Sequence, residues 1–278
     1  MRIGIDLGGT TIKGIRFTEA GEPEAEYTVP TPAKEGRGAI FSALFTTIDA
    51  LWTDGVELIG VSSAGNIDPA SGTCVYATDN LMGWTGANIV KELKERYHVR
   101  VLVDNDAVCA LKGELKFHPD VKNVTMLTFG TGVGGASLVN GEILRGKRFD
   151  AARWGHVVLV PNGIPCNCGK RGCAEGYLSA TALIRQAQAK LSGISNAKQI
   201  FERFLSGEGA AREVLEEFGF YLNVLLDNIR TALAPELIIL GGGVAQSEEI
   251  VRGLLSRGDD IAFARLGTLA GAYGAVRE

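Results

Sequence analysis

The chain has 278 residues, 46% of them apolar and 22% charged, and its 28 basic against 32 acidic side chains give a formal net charge of −4. That length accommodates one large domain or two lobes with a sizeable core, and the composition is that of a globular protein. The charge balance lacks the basic signature of a nucleic-acid partner, no apolar run reaches the about 18 residues of a membrane span, and Asp6 breaks the first apolar run too early for a secretory signal.

Short apolar runs at Arg2–Leu7 and Thr11–Phe17, joined by Gly8-Gly9-Thr10, predict two strands and a turn, with a third strand near Glu24–Val29. Ile40, Phe41, Leu44, Phe45, Ile48 and Leu51 fall at helical spacing and predict a helix over Gly38–Trp52. A strand at Glu57–Ser62, a helix at Asn88–Tyr97, a buried strand at Val99–Val103 and a helix at Ala107–Phe117 complete a first lobe. Pro119 ends it, which places a boundary at His118-Pro119-Asp120. Strands at Asn123–Phe129 and Gly135–Val139 then flank a second glycine turn, so a strand, a Gly-Thr turn and a strand recur as a weak internal repeat. A long amphipathic helix over Glu208–Leu233 stops at Pro235, a buried strand at Glu236–Leu240 runs into Gly241-Gly242-Gly243, and an Ala- and Gly-rich closing helix covers Thr268–Val276. The expected division is an N-terminal lobe of residues 1–118, joined by the closing segment 266–278, and a C-terminal lobe of 119–265 that carries the cysteine cluster.

Three glycine turns each follow a strand. Backbone N–H groups converge on an anion where no side chain blocks the approach. Asp6-Leu7-Gly8-Gly9-Thr10-Thr11 adds a carboxylate at the strand end, where a phosphate-bound Mg²⁺ would find a hard oxygen ligand; an ordinary hairpin turn with an aspartate gives the same pattern. Gly130-Thr131-Gly132-Val133-Gly134-Gly135 is the second turn and Gly241-Gly242-Gly243 the third. No GxxxxGK[ST] run occurs, and the first turn opens into a strand rather than a helix, which excludes a P-loop and disfavours a dinucleotide fold. Separated turns of this kind argue for one nucleotide held between two lobes.

Asp104-Asn105-Asp106 ends a buried strand ahead of a helix, where α/β proteins keep their sites. Asn105 suits sugar hydroxyls and Asp106 suits a base that takes the attacking proton, while a simple helix cap is the alternative. Asn80-Leu81-Met82-Gly83-Trp84 offers an amide and an aromatic face for a sugar, or an ordinary turn over a buried Trp. His156, Cys166, Cys168 and Cys173 supply three thiolates and an imidazole, a full tetrahedral set for structural zinc with no position left for water, and Glu175 stands just beyond the last ligand. Cys74 and Cys109 lie alone in apolar stretches, and the cysteine usage as a whole suits a reducing cytoplasm.

Nearly end to end, these residues resemble the ROK family of bacterial sugar kinases and repressors. The resemblance implies a two-lobed α/β fold of the actin-like ATPase (ribonuclease H-like) type with a cleft between its lobes. Asp6 through Thr10 resembles the first phosphate motif and Thr128 through Gly135 the second; Val61 through Asp68, with Gly65, resembles the sugar-side turn. Asn80-Leu81 with Trp84 resembles the sugar loop, Asn105-Asp106 the catalytic pair with its aspartate as base, and Gly241 through Gly243 the adenosine-side turn. Gly155-His156 and Cys166 through Glu175 match the zinc signature CxCGxxGCxE, whose His and final Glu also touch the sugar in the family. Arg153 stands where the family usually has a sugar-binding Glu, Phe149 where a Gly is usual, and Thr11 where a Lys or Asn is common.

The resemblance implies an ATP-dependent kinase for a hexose hydroxyl, glucose-like and at the 6-hydroxyl, with ATP, Mg²⁺ and structural Zn²⁺. Sugar and nucleotide are the expected partners, a homodimer follows by family analogy, and neither nucleic acid nor membrane is expected. The alternatives are another hexose or an N-acetylhexosamine as acceptor (N-acetylmannosamine, fructose or allose), or a non-catalytic sugar sensor. A repressor of this family carries a helix-turn-helix ahead of the first phosphate motif, and here that motif begins at Asp6.

Overall fold

The computed structural model describes residues 1–277. Its contacts divide the chain into two units, one of Met1–Pro119, Arg145–Ala151 and the residues from Thr268 onward, the other of Asp120–Leu144 and Ala152–Gly267. The short excursion Arg145–Ala151 thus groups with the first unit, which no local feature of its sequence announces.

Unit 1 is built on a five-stranded sheet. β1 (Arg2–Leu7), β2 (Thr11–Phe17) and β3 (Pro23–Pro30) form an antiparallel meander, and β4 (Leu58–Ser63) and β7 (Arg100–Asn105) extend it in parallel, in the order β3-β2-β1-β4-β7. Every residue of β4 is buried, as expected of a parallel strand covered on both faces. One cover is α1 (Arg37–Leu51), whose Ile40, Phe41, Leu44, Ile48 and Leu51 are buried. On the same core pack Ile3, Ile5 and Leu7 of β1. A small hairpin, β5 (Asn66–Asp68) and β6 (Thr73–Tyr76), follows β4; its strands are too short to leave a periodic signal. α2 (Ile89–Tyr97) starts where the Asn88 side chain accepts the Lys91 N–H at 2.9 Å and stops at His98, which is left-handed at φ 55°. α3 (Asp106–Glu114) tightens into a 3₁₀ turn at Leu115–Phe117 instead of running on as a single helix.

The closing helix α9 (Ala270–Ala275) explains its own composition. A methyl group at Gly4 would collide with the Ala272 carbonyl, one at Gly60 with Ala275, and one at Gly274 with the Cys109 carbonyl. The glycines therefore let α9 lie directly on β1, β4 and α3.

Unit 2 repeats the sheet. β8 (Val124–Phe129), β9 (Val133–Val139) and β10 (Glu142–Ile143) form the antiparallel part, β11 (Leu237–Gly241) and β12 (Ile261–Phe263) the parallel part, and the order β10-β9-β8-β11-β12 corresponds strand for strand to that of unit 1. The weak repeat in sequence is a full repeat of sheet topology. α7 (Gly209–Leu233) buries Phe218, Leu222, Leu225 and Ile229 and ends at Ala234, left-handed at φ 43°, before Pro235. Around it stand α4 (Glu175–Leu178), α5 (Ala180–Gln188), α6 (Ala197–Leu205) and α8 (Glu248–Gly253). Among the described residues no helix is long and apolar enough to cross a membrane.

Candidate active site

The first turn of unit 1 leaves β1 at Leu7 and closes through Gly8 N–H to Thr11 carbonyl at 3.0 Å, with the Thr31 hydroxyl donating to the Gly8 carbonyl at 2.7 Å. Neither Gly8 nor Gly9 takes a positive φ. An added methyl would meet nothing nearer than 3.5 Å at Gly8 and 4.0 Å at Gly9. The fold itself does not demand glycine there; what the glycines provide is uncovered backbone, with Gly9, Thr10 and Thr11 exposed. Asp6 stands at the foot of this turn. Ser62 donates to its Oδ1 at 2.9 Å, and the backbone of Gly271 abuts the carboxylate. Desolvation raises the Asp6 carboxyl above its ordinary value, against the Ser62 hydrogen bond and the charge of Lys13.

At the end of β7 the three polar residues divide their work. Asp104 is buried and clamped by Arg145 through two bonds of 2.8 Å and by Lys112 at 3.0 Å. Its role is to anchor the strand end and the excursion that carries Arg145. Asn105 is the helix cap: its Oδ1 accepts the Ala107 and Val108 N–H groups at 3.0 and 3.3 Å. Its amide donates to the Gly65 carbonyl at 2.9 Å and to Asp106 Oδ1 at 2.8 Å. Both amide hydrogens are thus spent inside the protein, so a sugar contact from Asn105 requires exchanging one of them. Asp106 Oδ1 also accepts the Ala107 N–H at 2.8 Å, while Oδ2 takes no hydrogen bond from another described residue. Desolvation and the neighbouring Asp6 carboxylate push the Asp106 carboxyl up to about 6, yet the residue keeps exposed surface, so it sits in a recess that solvent reaches. A carboxylate whose proton affinity is raised by a neighbouring carboxylate forms a site a divalent cation would relieve, and the hard oxygens of Asp6 and Asp106 suit Mg²⁺.

Gly65 is held at φ 104°, and a side chain there would press on the Tyr76 carbonyl at 2.8 Å. Asn80 is exposed on a loop whose backbone passes beside Gly9. Trp84 does not offer a ring face to a ligand: it is fully buried, packed on Phe41 at 5.0 Å and donating to Ser63 Oγ at 3.1 Å. The sugar-stacking alternative for that ring is therefore withdrawn.

In unit 2 the second turn is tied to its surroundings. The Gly130 carbonyl accepts the Ala180 N–H at 2.8 Å, and the Thr181 hydroxyl donates to the Thr131 carbonyl at 2.9 Å. The Val133 N–H donates to Glu175 Oε2 at 3.0 Å, and a methyl at Gly132 would collide with that carboxylate. Gly134 belongs to β9, opposite Thr128. At the third turn Gly242 is left-handed at φ 83° and lies on the backbone of Phe129, while Gly243 has nothing within 4 Å of an added methyl.

The cysteine cluster closes as its spacing suggests. The ligand atoms of His156, Cys166, Cys168 and Cys173 all lie within 4.8 Å of one another. Cys168 and Cys173 sulfurs are 3.6 Å apart, as are Cys166 Sγ and His156 Nδ1. Bonds of about 2.3 Å to sulfur and about 2.0 Å to nitrogen in a tetrahedron need donor spacings of roughly 3.5–3.8 Å, so the residues fit zinc. Gly169 and Gly172 are both left-handed, and a side chain at Gly172 would collide with the Val160 carbonyl. Glu175 joins this knot to the second turn, with Oε1 3.9 Å from Cys166 Sγ and Oε2 on Val133.

Arg153 is half-buried, and its side chain makes no hydrogen bond or ion pair among the described residues. Pairing with Asp150 or Glu175, the obvious way to neutralise it, does not occur: Asp150 pairs with Arg148 at 3.1 Å, and Glu175 serves Val133. Its charge reaches His156, whose imidazole is held below its usual value first by desolvation and then by Arg153. Phe149 keeps a left-handed backbone, φ 54°, a conformation that glycine adopts without cost.

The sequence pattern of the ROK family matches residues 2–268. The chain belongs to the ROK family. Within it, the chain is 34% identical over 268 residues to a glucokinase of Halalkalibacterium halodurans, covering 88% of this chain and 81% of that one. It is 28% identical over 247 residues to an N-acetylmannosamine kinase of Escherichia fergusonii, covering 88% and 84%. Among solved structures, a ROK family glucokinase from Streptomyces griseus in complex with glucose and AMPPNP superposes with a TM-score of 0.84 at 28% identity, covering 99% of this chain and 97% of that one. The fold is that of the ROK sugar kinases, the actin-like ATPase fold. The structure joins Ser62, from the turn-bearing run Val61–Asp68, to Asp6, and beyond the ROK motifs it adds Arg145 and Lys112 to Asp104. Arg145 lies 41 residues from its partner, with no local signal to join them.

Proposed function

We propose that this chain is an ATP-dependent hexose kinase that moves the terminal phosphoryl group of ATP onto a hydroxyl of a glucose-like hexose, at the 6-position. The observation that carries the reading is Asp106: one oxygen fixed by Asn105 and Ala107, the other without a partner, and Asp6 near enough to raise its proton affinity. Phosphoryl transfer asks a protein for positioning and charge stabilisation more than for covalent chemistry. Asp106 Oδ2 takes the proton from the attacking hydroxyl, and Asn105 holds the carboxylate in place while Gly65 holds Asn105. In unit 1 Gly8, Gly9, Thr10 and Thr11 offer backbone to phosphate oxygens, and Asp6 would hold Mg²⁺, which supplies charge neutralisation on the phosphates. In unit 2 Gly130, Thr131, Gly132, Gly134, Gly242 and Gly243 are the nucleotide side. Gly65, Asn80, Asn105, Arg153, His156 and Glu175 are the candidates for reading the sugar. His156, Cys166, Cys168 and Cys173 would hold structural Zn²⁺, which fixes the position of Glu175. The chain works as a soluble cytoplasmic homodimer in this reading. A coupled assay of ADP release over a panel of sugars tests it: sugar-dependent turnover with glucose or a close relative is expected, and absence of turnover with every hexose overturns it.

A second acceptor class, the N-acetylhexosamines, is favoured by Arg153. An unpaired guanidinium donates and does not accept, so it suits an acetamido oxygen better than the donors of a plain hydroxyl. Comparing kcat/KM for glucose, mannose, fructose, allose and N-acetylmannosamine between wild type and Arg153→Glu decides it. A shift in the ratio of sugars of roughly tenfold or more is expected; an unchanged profile means that Arg153 does not read the sugar.

A further inference from the structure

Unit 1 has a second concave feature at the other end of its sheet. β1, β4 and β7 run parallel, and their first residues Arg2, Leu58 and Arg100 stand side by side in register. The same strands end at Leu7, Ser63 and Asn105, so this feature lies roughly 16 Å along the strands from the candidate base. A cavity of about 1070 Å³ opens there. Arg2, Lys112, Lys116 and Arg277 line it, together with Arg100, which has a partner of its own, against one acid among its described lining residues, Glu57.

The charges are only partly answered. Lys112 lies 3.0 Å from Asp104, but that carboxylate already takes both nitrogens of Arg145, so the cluster of three keeps a net positive charge. Lys116 and Arg277 each sit 4.5 Å from the centroid of the Tyr273 ring, and Arg277 donates to the Tyr273 hydroxyl. These ring contacts fix the two cationic heads without cancelling them. Arg2 is exposed and makes no ion pair among the described residues. Converging like charges repel, and an anion that enters removes that cost. The space exceeds a single phosphate and lies at the upper limit of small-molecule pockets. Guanidinium forks match the spacing of phosphate oxygens.

We propose that this cavity binds a small anion carrying two or more phosphate charges, either an inorganic polyphosphate or a sugar phosphate. Its occupant would bridge the far ends of α3 and α9, the helices that begin at Asp106 and beside Asp6. The inference does not depend on the kinase reading, because its test is a binding measurement. Isothermal titration of the full chain, saturated with AMPPNP and sugar to fill the catalytic turns, would use inorganic tripolyphosphate in one arm and glucose 6-phosphate in the other. One equivalent of at least one probe should bind. Arg2→Gln and, separately, Lys116→Gln should each weaken it roughly tenfold or more, as expected for loss of a charge-assisted contact. The arm that binds identifies the source of the phosphate. Arg2→Gln changes an exposed side chain at a strand end, so its folding is not in question. Failure of both probes to bind, affinity unchanged in both variants, or equal competition by sulfate at matched ionic strength would overturn the proposal.

Discussion

In both units a strand runs into a glycine turn and returns antiparallel, with two parallel strands beyond it. β1, however, reaches its turn with Asp6, whereas β8 presents Thr128 at the corresponding place. The parallel neighbour of Asp6 is Ser62, which donates to it; the parallel neighbour of Thr128 is Gly241, which has no side chain to offer. Acids gather in unit 1 as Asp6, Asp104 and Asp106, while unit 2 spends its variation on the cysteine knot and on Glu175, which props its turn. The turns differ in what supports them too. Gly8 and Gly9 leave bare backbone with room above it, and Gly132 is packed beneath a carboxylate. Repetition of the sheet therefore puts a glycine turn at the same point of each unit, and the residue two places before each turn sets which copy carries a carboxylate.

The sharpest way to break this comparison is to remove the acid of unit 1. Asp106→Asn should lower turnover by about 10²–10⁴-fold, the usual contribution of a positioned base, with nucleotide affinity nearly unchanged. A steady-state assay with a nucleotide titration checks it; retention of a tenth of the activity would put the base elsewhere.

The knot of unit 2 should respond differently. Cys168→Ser should weaken metal binding by at least the about 10–100-fold seen for mere supporting residues, and with it the hold of Glu175 on Val133. Elemental analysis should fall from one zinc per chain towards none, while circular dichroism retains the strands of unit 1.

The two turns can be compared directly by adding one methyl group to each. Gly132→Ala drives a methyl into Glu175 and should cost about 1–3 kcal/mol, the range for overpacking, read as a lower Tm. Gly9→Ala meets open space and should change stability by no more than about 0.5 kcal/mol, yet raise the KM for nucleotide because the bare backbone is covered. Equal loss of stability in both would erase the distinction drawn between them.

The smallest effect is on stability against pH. Burial and Asp6 raise the folded-state Asp106 carboxyl to about 6, above its unfolded value. The native state then holds this proton more tightly than the unfolded chain, so its contribution is fully present below about pH 4 and is lost as pH rises through about 6. Asparagine does not titrate. The Tm of Asp106→Asn minus that of wild type should therefore grow as pH rises across that window, and kcat/KM of wild type should fall below about pH 6 as the base becomes protonated. A flat difference would mean that Asp106 is not perturbed.

Much of this was legible in the sequence because the signals are local. Turns, strand ends and the Cys166–Cys173 run each fit within about ten residues, the span over which spacing constrains geometry. The Ala and Gly content of the closing helix announced close packing, and Gly4, Gly60 and Gly274 are where it happens. What stayed hidden depends on contacts between distant segments. Nothing near Asp104 points to Arg145, and the helix cap that the Asn-Asp pair suggests does not reveal that Asn105 also spends both amide hydrogens. Trp84 looked equally apt for a ligand or a core, and only its burial decides. Arg153 and Phe149 were visible as departures, but the unpaired guanidinium and the left-handed backbone beneath Phe149 are properties of the folded chain.

The lie of α9 has a consequence for biosynthesis. Asp6 is made well before Gly271, yet its carboxylate rests against Gly271, and β1 rests against Ala272. One face of the strand that carries this acid is left uncovered until α9 arrives, a contact of high sequence separation that closes late. A nascent chain therefore holds the turn after β1 unfinished until α9 has been made. Loss of that helix should leave unit 2 with its own core while exposing Gly4 and Gly60 on a bare sheet face, a surface that invites quality control rather than residual activity.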